Sequence, residues 1–280
     1  MTVRPASRSG RANDRAAPSP PAIVFVLGGL AALFFALPFV GLVVRAPWSS
    51  FGTILRDDSV RTALWLSLTT SVITTVIAIG IGVPLAWLLA RSSLPGRGIV
   101  RALCTLSMVL PPVVAGVALF LALGRRGVVG RPLGELFGVS LPFTTASVVL
   151  AQLFVAMPFL VLTVEAALRG LDPAGEQAAR TLGASRGYVF RRVTLPSIRP
   201  ALVSGIVLTW ARALGEFGAT ITFAGSFPGT TRTVPLATYL ALENDPDQAI
   251  LLSIVLVAVS FAVLLGLRER WVGAAFGARP

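Results

Sequence analysis

Six stretches of about twenty or more mostly apolar residues, at 22–44, 62–90, 102–123, 145–168, 201–223 and 248–267, divide this 280-residue sequence. Each has the roughly 20 helical residues needed to cross a hydrocarbon core about 30 Å thick. The stretch at 62–90 is long enough to tilt or to extend past the bilayer. Charged residues make up 13% of the chain, half of the roughly 25% usual for a soluble domain. They gather between the apolar stretches, which leaves no room for a large separate soluble domain. The reading is an all-α membrane protein: a disordered tail at 1–21, one six-helix domain at 22–267, and a short tail at 268–280.

The net charge is +12, and all 24 basic residues are Arg. Their placement beside apolar segments fits topology signals better than a nucleic-acid surface, so no nucleic-acid partner is expected. Sixteen Arg lie in the tails and in the two connections that share their side, against seven on the opposite side, with Arg212 inside a stretch. The excess of basic residues on the inner side predicts that both termini are cytoplasmic. Residues 1–21 are rich in Arg, Ser and Pro without an apolar period, which predicts disorder. The run at 22–44 is too long for the 7–15-residue apolar region of a secretory signal, so it reads as an uncleaved first helix.

Absences narrow the chemistry. The chain has no His, which excludes a His metal site, a His general base or a Ser–His triad. It has no Lys, and the phosphate-cradling G-x-x-x-x-G-K-[ST] loop therefore cannot exist in it. Cys104 is the one thiol and forms no internal disulfide. No catalytic residues, cofactor site or metal site are expected. Any ATP-driven work requires a second polypeptide that binds the ATP and Mg.

The polar stretch 171–200 is too long for a helix–helix turn and too charged for lipid. Asp172 followed by Pro173 is a helix start, and Glu176 favours the positive end of the helix dipole. A short helix is expected over 173–182, ended by Gly183 in the left-handed conformation. A second is expected over 185–194, with Leu195 and Pro196 breaking the chain before the fifth stretch. Gln177, Ala178, Ala179, Gly183, Val193, Leu195 and Pro196 resemble the E-A-A-x3-G-x9-I-x-L-P loop of the permease subunits of ABC importers. Gln177 stands where the family usually has Glu, with Glu176 beside it, and Val193 stands for Ile. Glu165-Ala166-Ala167 is a decoy, because Leu171 occupies its Gly position. The resemblance implies a type I importer permease fold whose cytoplasmic coupling helices dock into a separate ATPase subunit.

The fifth stretch carries two charges, Arg212 and Glu216, four residues apart and so on one helical face. Charges at membrane depth are costly and face a bundle interior or an aqueous cavity. Two readings stay open: a pathway site that meets an anion, or a salt bridge that fixes packing. Gly215 and Gly218 permit close helix approach. Pro111 and Pro112, Pro84, and Pro158 are expected to break or bend their helices. Freed carbonyls are one way to line a pathway, although Pro and Gly are also frequent in membrane helices generally. The Ser and Thr residues from Ser67 to Thr75 are expected to bond back to their own helix.

The run from Ala211 through Arg212, Gly215, Glu216, Gly218, Thr220 and Thr222 to Phe223, followed by 228–235 with Thr231-Arg232-Thr233, is similar to the molybdate permeases of the binding-protein-dependent transport family. The Gly-Glu-aromatic-Gly core also resembles the sulfate and thiosulfate permeases, which is the alternative. The resemblance covers most of the chain from the second stretch onward. It implies a homodimer in the bacterial cytoplasmic membrane, an ABC ATPase partner, an extracytoplasmic oxyanion-binding protein and import of molybdate or tungstate. An ion-coupled secondary carrier usually has more spans and midplane carboxylates. A membrane enzyme would need a nucleophile–base pair or metal ligands, and the absence of His and Lys, with Arg212 and Glu216 as the well-buried charges, argues against it.

Overall fold

The computed structural model describes residues 21–93 and 95–276, with side chains up to Gly266. The tail expected to be disordered therefore lies outside the described residues, apart from Pro21. Every regular element among the described residues is helical.

Helix α1 (Ala22–Val44) forms a unit by itself. It is apolar around its whole circumference, the pattern of a membrane-spanning helix. The second unit begins at Ala46. It contains α2 (Phe51–Arg56), α3 (Asp58–Arg91), α4 (Arg97–Val109), α5 (Pro112–Leu123), α6 (Gly130–Phe137) and α7 (Thr145–Gly170). Two short helices follow, α8 (Ala174–Thr181) and α9 (Arg186–Val189), and then α10 (Leu195–Leu214), α11 (Gly218–Phe223), α12 (Val234–Asn244) and α13 (Pro246–Phe276).

Local chemistry sets the helix starts. The Asp57 carboxylate accepts the backbone N–H groups of Ser59 at 2.8 Å and Val60 at 3.4 Å, closing the N-terminus of α3. The Ser59 hydroxyl and backbone hydrogen bonds hold this carboxyl below its ordinary range. Thr144 and Ser147 form a reciprocal capping box at the start of α7.

Among the described residues, five helices are long and apolar enough to cross a membrane: Ala22–Val44, Asp58–Arg91, Thr145–Gly170, Arg186–Leu214 and Pro246–Gly266. The third apolar stretch is not one helix. It divides into α4 and α5 at Leu110 and Pro111, whose ψ angles of 132° and 130° are extended. A residue before Pro is pushed out of the helical region, and here two prolines in succession leave no N–H to continue the ladder. The fifth stretch also divides, because α10 ends at Leu214 and α11 begins at Gly218. Pro84 and Pro158, by contrast, lie inside unbroken helices, Pro84 exposed and Pro158 buried.

The expected break at Leu195 and Pro196 is absent. A π-helical turn at Phe190–Thr194 leads from α9 directly into α10, and Pro196 sits in the first turn of α10. That first turn is where a missing N–H is least costly, while the wider π turn adjusts the register.

Helix α7 is the centre of the second unit. Leu160, Val161, Val164 and Leu168 pack with Ala78, Ala86 and Leu89 of α3 and Ile198 of α10. Two glycines set these distances. A Cβ on Gly82 would lie 3.3 Å from Met157 and Val161, and one on Gly205 would lie 2.9 Å from the Leu160 side chain and 3.3 Å from its Cα. Small residues thus bring α3 and α10 against α7, as expected where dispersion rather than hydrophobic exclusion drives helix association.

Candidate functional site

The polar segment after α7 folds into a compact projection. Asp172 accepts the Ala174 N–H at 2.9 Å, and α8 ends at Gly183, whose φ is +84°. The Gly183 and Ala184 N–H groups return to the carbonyls of Arg180 and Ala179, satisfying the helix end. Gln177, Ala178 and Gly183 are exposed, and Leu182 is 89% exposed. A Cβ on Gly183 would meet nothing, so this glycine is required by its backbone conformation alone. Val193 and Leu195 are half-buried at the base of the projection, and Pro196 is exposed.

Glu176 holds the projection to the membrane helices. Its buried side chain accepts the Thr194 hydroxyl at 2.7 Å and pairs with Arg91 at the end of α3 at 3.4 Å. Gln177, at the Glu position of the family loop, points outward. Sequence reasoning had no means of finding Arg91, which is 85 residues away. Beneath α8 lies a cavity of about 490 Å³ bordered by Trp87, Arg91, Glu176, Arg180, Arg186 and Phe190. Trp87 packs edge-on to Phe190 with ring centroids 5.1 Å apart.

Glu165, the decoy, has a structural place. It is buried and receives Arg101 at 2.6 and 2.8 Å and Arg169 at 3.0 Å. The Arg169 guanidinium also reaches the Leu89 carbonyl at 3.2 Å. This cluster ties α4, the end of α3 and α7 together.

The second site is the juncture of the two divided stretches. Gly218 opens α11 directly on the start of α5, where a Cβ would meet Pro112 Cβ at 2.7 Å. A Cβ on Gly116 would collide with the Thr222 hydroxyl and lie 2.8 Å from the Ala219 carbonyl. The break at Pro111 and Pro112 and the break at 215–217 are therefore side by side. Gly215 makes no such approach, since its nearest neighbour would be the Ala211 carbonyl at 3.6 Å.

Arg212 and Glu216 do pair, with Nη1 to Oε2 at 2.6 Å, although not in hydrogen-bond alignment. The uninterrupted helical face expected for them is absent, because Glu216 lies beyond the end of α10. Its other oxygen accepts the Ala219 N–H at 2.7 Å. Glu216 thus links the end of one helix to the start of the next, buried to 1% exposure, while Arg212 keeps 28%. Thr220 is buried, and its hydroxyl has no hydrogen-bond partner among the described residues, whereas the Thr222 hydroxyl bonds back to Gly218.

The Ser and Thr residues of α3 divide in role. Thr70 and Thr75 bond back to their own helix. Thr74 instead donates to Gln152 of α7 at 3.0 Å, the Gln152 amide donates to Thr70 at 3.2 Å, and the Ser67 hydroxyl accepts the Val234 N–H at 2.7 Å. Gln152, unremarked in the sequence, joins α3 to α7 inside the bundle.

The chain is 49% identical to the molybdenum transport system permease protein ModB of Mycobacterium tuberculosis over 240 residues, 85% of this chain and 90% of that protein. It is 39% identical to the Escherichia coli protein of the same name over 218 residues, 78% of this chain and 95% of the relative. A bacterial ABC transporter that imports the acidic polysaccharide alginate has a chain of the same fold, with a TM-score of 0.71 at 18% identity, covering 89% of this chain and 94% of that one. The family description that matches residues 82–274 spans both the α8 projection and the paired breaks. On that match, this chain belongs to the binding-protein-dependent transport system inner membrane components.

Proposed function

We propose that this chain is the membrane permease subunit of an ABC importer for molybdate or tungstate. It crosses the bacterial cytoplasmic membrane six times, counting the broken α4–α5 segment as one crossing, with both termini inside. It works as a homodimer with two ATPase subunits and an extracytoplasmic oxyanion-binding protein.

The observation that carries the mechanism is the anchored projection. The exposed face of α8, including Gln177, Ala178 and Leu182, is free to enter a groove on the ATPase subunit. Glu176, pinned to Arg91 and Thr194, transmits force from that face. The π turn joins the projection to α10 without an interruption, so a push on α8 turns α10 as a lever. At the far end of α10 the push reaches Gly215, Glu216 and the α5–α11 crossing, where Pro111, Pro112, Gly218, Thr220 and Thr222 form the gate. Arg212, partly exposed beside that gate, provides the positive charge that meets a dianion, and Glu216 compensates it between passages. The relatives named for molybdenum transport support the substrate.

Uptake of labelled molybdate and labelled sulfate by a strain lacking the gene tests the proposal. Molybdate uptake is expected to depend on the restored gene and sulfate uptake to be indifferent to it. Dependence of sulfate alone would assign the chain to the sulfate permeases. The purified chain is expected to hydrolyse no ATP until the ATPase subunit is added.

A further inference from the structure

The geometry points to a second anion site, distinct from the pathway: we propose that the cavity beneath α8 binds the phosphodiester headgroup of an anionic phospholipid. The charge on its walls is the first argument. Arg91 is neutralised by Glu176, but Arg180 and Arg186 form no ion pair among the described residues. Two uncompensated guanidiniums thus border one cavity, and Arg is suited to phosphate through its planar fork of donors.

The apolar part of the lining is the second argument. Trp87, Val189 and Phe190 are apolar, and the Trp87–Phe190 contact holds the two rings in place. A free oxyanion has no use for such a wall, whereas a lipid places its glycerol and first acyl carbons there. At about 490 Å³, the cavity also far exceeds the space that one tetrahedral oxyanion fills.

Position is the third argument. Trp87 and Arg91 are one turn apart at the end of the membrane helix α3, the aromatic-then-basic order found at headgroup depth. Basic pockets between membrane helices at that depth recruit anionic headgroups. A lipid seated here would bridge α3, α8 and the start of the α9–α10 lever, and so stiffen the projection.

The test uses the full-length chain in a neutral detergent, titrated with phosphatidylglycerol, phosphatidylcholine or inorganic phosphate and read by native mass spectrometry. Phosphatidylglycerol is expected to occupy one tight site that phosphatidylcholine does not fill and that phosphate at equal concentration does not empty. The R180Q/R186Q variant is expected to bind about twenty-five-fold more weakly, at roughly fivefold per guanidinium. R125Q/R126Q removes the same charge elsewhere and should bind as the parent does. Should the double variant aggregate, the single variants R180Q and R186Q must each show the roughly fivefold loss. Undiminished binding by R180Q/R186Q, or by both single variants, would overturn the proposal. Displacement by inorganic phosphate would reassign the site to a free anion. Release of the lipid as the ATPase subunit binds would assign the guanidiniums to an acidic surface of that subunit.

Discussion

Breaking the Arg212–Glu216 pair one side at a time is expected to have unequal effects, because burial is unequal. Glu216 is 1% exposed and Arg212 28% exposed. Replacing Arg212 with Met leaves a carboxylate uncompensated in the bundle, which costs about 3–5 kcal/mol. Glu216→Gln leaves a guanidinium that is only partly buried. Its cost is about 1–2 kcal/mol, below the ~3 kcal/mol of an Arg fully embedded at the centre of a span. The Gln carbonyl also continues to accept the Ala219 N–H. Glu216→Ala removes that cap as well, worth about 1 kcal/mol more. With both charges gone, Arg212→Met/Glu216→Gln should lie within about 1 kcal/mol of the parent, since isosteric replacement of a buried pair is often neutral. The cycle therefore predicts a coupling of about 3–7 kcal/mol, at or above the upper end for contacting residues. Reversible unfolding of the full-length chain in mixed micelles measures the four free energies. Anion uptake, normalised to assembled complex, separates stability from transport. A double variant no more stable than Arg212→Met alone would refute the paired-charge account. A double variant of parental stability that fails in transport would show that Arg212 meets the anion.

The remaining expectations are more local. Gly116→Ala drives a methyl group into the Thr222 hydroxyl and the Ala219 carbonyl, so it should cost about 1–3 kcal/mol in the same unfolding assay; parental stability would mean that α5 and α11 separate freely. Glu165→Gln leaves Arg101 and Arg169 around a neutral amide and should destabilise by about 3 kcal/mol, seen as a lower melting temperature of the purified chain. Gly183→Trp should preserve insertion yet abolish uptake and capture of the ATPase subunit. Gly183→Asn, which tolerates the φ of +84°, should keep both, and normal uptake by the Trp variant would reject α8 as the docking element. Reporter fusions after Pro280 and within 224–233 should report opposite faces of the membrane, and signals from one face would reject the six-crossing topology.

The sequence by itself determined the solvent. Long apolar runs with Arg between them leave a helical membrane chain as the available outcome, and the absence of His and Lys removes any His-based site and the phosphate-cradling lysine loop. The short helix after Asp172 and its end at Gly183 were legible because caps and turns depend on a few adjacent residues. Tertiary structure decided the rest, for reasons of distance and competition. The prolines inside the apolar stretches met different fates. Pro84 and Pro158 remain in intact helices, where Gly82 lets α3 and α7 pack closely, while the pair at Pro111 and Pro112 divides its stretch. Pro196 was tolerated because a π turn five residues long precedes it, an arrangement no propensity signals. Arg212 and Glu216 were recognisable as a pair from their spacing. Only the folded chain places Glu216 between two helices, with one oxygen on each. Arg91, Arg101 and Thr70, which meet Glu176, Glu165 and Gln152, lie 64 to 85 residues away from them along the chain, and no local pattern encodes such a pairing. It follows from which helix faces α7, and that is set by where small residues permit backbones to touch.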